Sequence, residues 1–305
     1  MRRSSLCFLL LAFAACSSAN VGWSTDATGT LRSARAAGRD VAVFFHLKGR
    51  EQSDRMVAVA LSDREVERAL ADGDFAALQL DGFAHQRLYG TWIGGGEGMG
   101  LCVLDGSGRV YASRPGPQDP PEVAAFLRRC AAEREALAKL RSDHALLPED
   151  GKTNLALGSL LLELGCRVDS EPMLLLAAQR GELEAHHRLA RLFALDGMCQ
   201  RARQWLRTAP PSPQADVTLG YVLFKERRYS ESAAVLVGPA ARRDLGDDGL
   251  RARLYLGKSL HECGRDQEAR ALFESLLGEA KGTTFGAAAA HSLTHLDDTN
   301  HGHTH

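Results

Sequence analysis

The chain has 305 residues, 45% of them hydrophobic and 25% charged, with 37 basic side chains against 38 acidic ones. That length has room for two domains with separate cores, and the composition excludes a wholly disordered chain and a polytopic membrane protein. A formal net charge of −1 excludes nucleic-acid binding driven by bulk positive charge.

The chain opens with Arg2 and Arg3, followed by an apolar run from Leu6 to Ala15. The run is too short to span a bilayer and has the length of an export signal. Ser4 and Ser5 stand where a twin-arginine signal has apolar residues. The run ends Phe13-Ala14-Ala15-Cys16-Ser17, which resembles a bacterial lipobox, with Phe13 where Leu is usual. The resemblance implies that residues 1–15 are a lipoprotein-type signal peptide and that Cys16 is acylated. The membrane would then be reached through the lipid, with Ser17 pointing to the outer membrane and not the inner. Ordinary cleavage after Ala14 or Ala19 is the alternative and would give a freely secreted protein. Loss of Arg2 and Arg3 would take the net charge to −3.

Five cysteines follow Cys16: Cys102, Cys130, Cys166, Cys199 and Cys263. None forms C-x-x-C, which argues against a zinc ribbon and against a dithiol redox motif. An exported chain can form disulfides, and a Cys102–Cys130 bridge is one candidate.

Residues 21–143 read as one domain. A helix is expected over residues 25–38, a buried strand over 40–46, helical pieces over 54–60 and 62–70 with Ser62 as N-cap, and a strand over 75–81. A hairpin is expected from Gly100 through Gly106 and Gly108 to Ser113, then a long helix from Pro120. That helix carries Val123, Phe126, Leu127, Cys130 and Leu137 on one stripe. The glycine-rich stretch from Gly90 to Gly100 lacks the Lys-Ser/Thr of a P-loop and reads as a flexible loop carrying Trp92, so no cofactor is expected.

This order resembles the thioredoxin fold. Trp23, the Ala34/Ala37 helix, the two strands and Leu101-Cys-Val-Leu-Asp-Gly-Ser-Gly108 are similar to extracytoplasmic thioredoxin-like domains. The resemblance places the two active-site cysteines on Arg50 and Ser53, in Arg50-Glu51-Gln52-Ser53, and the facing cis-proline on Met99. Both redox features are missing, so dithiol exchange is not expected, and no catalytic residue is assigned.

Residues 148–298 repeat themselves. The pairs Leu157-Gly158, Leu189-Ala190, Leu219-Gly220 and Leu256-Gly257 are spaced 32, 30 and 37 residues apart. Such a period is that of tetratricopeptide (TPR) repeats, about 34 residues of paired helices, and the segment resembles that family. Pro172 is expected to interrupt the second helix of the first unit or delay its start. A terminal capping helix is expected over residues 283–295. The fold class is therefore an α/β thioredoxin-like domain followed by an all-α TPR solenoid.

The resemblance implies a concave groove for a protein or peptide partner. By repeat position it would include His187, Arg191, Tyr221 and Lys225, together with Arg251, Lys258 and His261. This basic set suits an acidic segment or a terminal carboxylate. A solvated face packed on the first domain is the alternative. Residues 299–305 form a His-rich tail, and His291 and His295 share a helix face above it. No metal site is assigned to them.

The leading expectation is a non-catalytic, envelope-anchored adaptor with a protein or peptide partner in the cell envelope. Two other classes stay open: an atypical thiol-disulfide oxidoreductase or disulfide chaperone using Cys102 or Cys130, and a metal-handling protein using the His-rich tail.

Overall fold

The computed structural model describes residues 22–94 and 98–299. The expected export signal, Cys16 and the tail beyond residue 299 lie outside the described residues.

Helix α1 (Ala27–Ala37) is capped by Asp26 and ends at Gly38, which takes the left-handed conformation. Strand β1 (Val41–His46) leads into α2 (Glu51–Arg55), which widens into a π-type turn over Met56–Ala60. Helix α3 (Arg64–Asp72) is capped by Asp63, which accepts from the Glu65 N–H at 2.7 Å. Ser62, the expected cap, instead donates its hydroxyl to the Val57 carbonyl. After β2 (Ala76–Asp81) comes α4 (Gln86–Trp92), where no helix was expected. Gly90 weakens its helical signature, yet Tyr89 and Trp92 hold it by packing edge-on against Phe45. Trp92 is therefore a helix-borne anchor and not a loop residue.

Strands β3 (Gly100–Leu104) and β4 (Val110–Pro115) form the expected hairpin. The sheet order is β2-β1-β3-β4, with β1 and β2 parallel and the other pairs antiparallel. The two central strands are buried on both faces, as their continuous apolar sequences require. Helix α5 (Pro120–Leu146) starts in a capping box of Asp119 and Glu122 and buries the predicted stripe. Asp40 fixes its position: Tyr111 donates to Asp40 Oδ2 at 2.6 Å, and Arg134 Nε of α5 at 2.7 Å.

An all-helical region follows. It comprises α6 (Gly151–Glu163), α7 (Arg167–Gln179), α8 (Glu184–Leu195), α9 (Cys199–Thr208), α10 (Pro213–Lys225), α11 (Tyr229–Ala241), α12 (Asp247–Glu262), α13 (Asp266–Glu279) and α14 (Thr284–Thr299). The first eight pack as successive pairs. In three of the pairs a glycine of the first helix receives a side chain sixteen positions later. A methyl group on Gly158, Gly220 or Gly257 would collide with Leu174, Leu236 or Phe273. Ala190 and Leu206 occupy the same offset in the α8–α9 pair. A second contact recurs: Ser170 and Ser232 donate to the Gly158 and Gly220 carbonyls at 2.7 and 2.8 Å.

Pro172 lies inside α7, which begins at Arg167 without interruption. Proline removes one backbone bond, but Ser170 and Leu174 on either side of it are both fastened to Gly158. The sheet's core runs unbroken into α6 through Leu157 and Leu161. Helix α14 packs on α13 and also returns to α5.

Candidate functional site

At the positions where a dithiol was sought, the chemistry is spent on structure. Arg50 is exposed and precedes α2 without a side-chain cap bond. Ser53 is fully buried, and its Oγ accepts from the Leu47 N–H at 2.9 Å. Beside it, His46 Nε2 meets Asp54 Oδ1 at 2.7 Å while His46 Nδ1 meets Gln79 Nε2 at 2.9 Å. An imidazole protonated on Nε2 satisfies both partners. Met99 is buried, and its carbonyl accepts from the Gly116 N–H at 2.9 Å.

All five described cysteines are free, so no Cys102–Cys130 bridge is present. Burial pushes the Cys102 and Cys130 thiols far up and takes Cys166 to about 12. Such thiols stay protonated, and the thiolate is the reactive form.

The prominent cavity, about 410 Å³, lies where β4 meets helices of the all-helical region. Its floor is Ser113 and Arg114 of β4 with Arg129 of α5. Its walls bring Glu163 from α6, Arg191 from α8, Tyr221 from α10, Arg251, Tyr255 and Lys258 from α12, and Phe285 from α14. Of the residues expected to line a groove, Arg191, Tyr221, Arg251 and Lys258 are thus brought together. The other three are not. His187 is buried off the cavity wall, where burial lowers its imidazole to about 4. Lys225 is exposed at the end of α10, and His261 Nδ1 pairs with Asp266 at 2.7 Å. Each of these two lies about one turn C-terminal to a lining residue, Tyr221 or Lys258, and outside the cavity lining.

Glu163 organises the cavity and was not anticipated. It is 13% exposed and faces Arg251 at 2.8 Å, Arg188 at 3.2 Å and Arg129 at 3.9 Å, with Arg191 in a closer pair. Burial opposes its charge, but Arg191, Arg251 and Arg188 outweigh that and hold the carboxyl well below the usual carboxylate range. Arg251 also pairs with Asp248, Arg129 with Asp247 at 2.9 Å, and Arg167 with Asp196 at 2.8 Å.

Two lining cations stand outside this network. Arg114 has its guanidinium carbon 5.8 Å from the Phe126 ring, and Lys258 has Nζ 5.7 Å from the Tyr255 ring. Neither has a carboxylate or hydrogen-bond partner among the described residues. Burial lowers both, and Arg129 lowers Arg114 further. The arrangement can bind and orient an anion. It presents no nucleophile paired with a base.

At the C-terminal end, His291 and His295 place their Nε2 atoms 3.0 Å apart, and His291 Nδ1 meets Asp119 Oδ2 at 3.2 Å. Among the described residues no group of three or more His, Cys, Asp or Glu is arranged to hold a metal ion. No described helix is long and apolar enough to cross a membrane. Compared with known proteins, the chain matches no family model and no curated protein.

Proposed function

We propose that this chain is a non-catalytic, envelope-anchored interaction adaptor. In this reading the sheet and its helices are a thioredoxin-like domain without its dithiol, and the paired helices are tetratricopeptide-type repeats. Export and acylation at Cys16 would hold both outside the cytoplasmic membrane, with the outer membrane preferred. What supports the fold assignments is the β2-β1-β3-β4 order and the sixteen-residue offset repeated through the helix pairs.

The observation that carries the function is the pair of cations without a carboxylate contact among the described residues, Arg114 and Lys258, in a cavity walled by Tyr221, Tyr255 and Phe285. Both side chains are half-buried without a carboxylate contact, and an acidic group on a partner protein would supply one. Ser53 and the buried thiols offer no competing chemistry.

The test is crosslinking capture by the lipidated protein in native membranes, wild type beside Arg114→Glu/Lys258→Glu. One envelope protein captured by wild type and lost by the variant is the expected result. Equal capture by both, or no enriched partner, would remove the adaptor reading. Arg191→Glu is unsuitable, because it would break the Glu163 network and confound binding with folding.

A further inference from the structure

We infer that the cavity between β4 and the first helices of the pairs is a receptor site for an organic dianion: a compact, doubly negative group carried on an apolar body. The inference rests on the same cavity as the adaptor reading and adds the chemistry of what enters it.

Charge comes first. Six cationic side chains line the cavity, and four of them, Arg129, Arg167, Arg191 and Arg251, have carboxylate partners at hand. Arg114 and Lys258 are left over, one from the sheet and one from α12. Glu122 acts on both electrostatically without a direct contact to either, and its Oε2 accepts from the Asp119 N–H at 3.0 Å in the α5 cap. A monoanion could satisfy one surplus cation. A dianion brings one charge for each.

Shape comes second. Leu162, Leu195, Leu254 and Phe285 supply apolar wall beside the charges, and the Tyr255 ring lies next to the Lys258 ammonium. The volume of about 410 Å³ suits a small ligand and not a bare ion. The β4 side is sealed: Ser113 N–H donates to the Leu164 carbonyl at 3.0 Å and Ser113 Oγ to that of Gly165 at 2.8 Å. An extended peptide therefore cannot add to β4 here as a further strand. What fits is a short, terminated body with its charge directed at Arg114 and Lys258.

The probe is phenyl phosphate, titrated into the full chain by calorimetry at pH 8, where its phosphate is a dianion. Inorganic phosphate serves as the dianion without a body and benzoate as the body with one charge. Phenyl phosphate should bind at least about tenfold more tightly than either, and more weakly as salt is raised. Arg114→Gln and Lys258→Met should each weaken it by about tenfold, with thermal melts confirming that both variants fold. Lys225→Met should leave it unchanged. Absence of saturable binding, equal binding by benzoate or by inorganic phosphate, or indifference to both variants would overturn the inference.

The two readings fail separately. Binding of phenyl phosphate with no membrane partner captured would retire the adaptor and keep the dianion site. Capture that depends on Arg114 and Lys258 but is not competed by phenyl phosphate would do the reverse.

Discussion

Arg251 Nη2 and Glu163 Oε2 lie 2.8 Å apart although 88 positions separate them in the chain. That contact ties the fourth helix pair to the first. Arg129 of α5 and Arg188 and Arg191 of α8 converge on the same carboxylate. A buried ion pair adds little net stability, because desolvation offsets attraction. Removing one partner is far more costly, because the other charge is stranded.

Glu163→Gln should therefore cost about 3–5 kcal/mol of folding stability. The substitution keeps the shape and removes the one charge that holds the guanidinium groups together. Urea denaturation monitored by circular dichroism reads the loss. A change below about 1 kcal/mol would mean that solvent already screens the network.

Acid should unfold the protein in two stages. His187 is held at about 4 against an ordinary 6.5, first by burial and then by Arg188. The unfolded chain takes up that proton more readily, so stability falls as pH drops from about 6.5 toward 4, by roughly 3 kcal/mol at most. Glu163 has a depressed carboxyl, so its contribution is complete above its ordinary 4.5 and is lost only below it. His187→Leu should abolish the first stage and leave the second. Stability profiles against pH for the two proteins check this, and an unchanged first stage would assign it to other groups.

The turn between paired helices holds a left-handed residue seven positions after each small contact residue. It is Gly165 at φ 85°, Gly197 at 77°, Arg227 at 60° and Gly264 at 75°. Arg227 alone bears a side chain there, so Arg227→Gly should stabilise the protein by about 0.5–1 kcal/mol. Gly264→Ala should cost about 1 kcal/mol, since its surroundings are open. Gly165→Ala should cost distinctly more, because the added methyl would strike the Ser113 carbonyl. Chemical denaturation of the three variants gives the order directly.

Two neighbouring cations should respond oppositely to neutralisation. Arg191→Met should lower the melting temperature by stranding Glu163. Lys258→Met should leave it unchanged or raise it, since no carboxylate contact is broken and a desolvated charge disappears. A fall of similar size for both would show that Lys258 has a structural partner.

The helix pairs were legible because their signal is local: a small residue at 158, 190, 220 and 257, three of them glycines against a side chain sixteen positions on. The α5 stripe was legible for the same reason. Helix α4 was not, since it depends on Tyr89 and Trp92 reaching Phe45 across the fold. The cavity was half legible. Repeat position found Arg191, Tyr221, Arg251 and Lys258, all on first helices of pairs. It could not find Arg114, which lies on a strand, or Glu163, whose role depends on arginines brought from three other helices. Charge complementarity over such separations leaves no mark in residue spacing. The one available signal was a lone acid at the end of α6 in a region counted as basic.

The Ser113–Leu164 hydrogen bond also bears on edge-to-edge aggregation. Strand β4 is an outer strand of the sheet, and its unpaired backbone groups are a template for another chain. The α6–α7 turn caps that edge at its middle. A polypeptide ending before Gly151 would keep the whole sheet but lose the cap. Such a fragment would have its β4 backbone bare and would pair edge to edge with its copies, so the helices act as the sheet's own guard against aggregation.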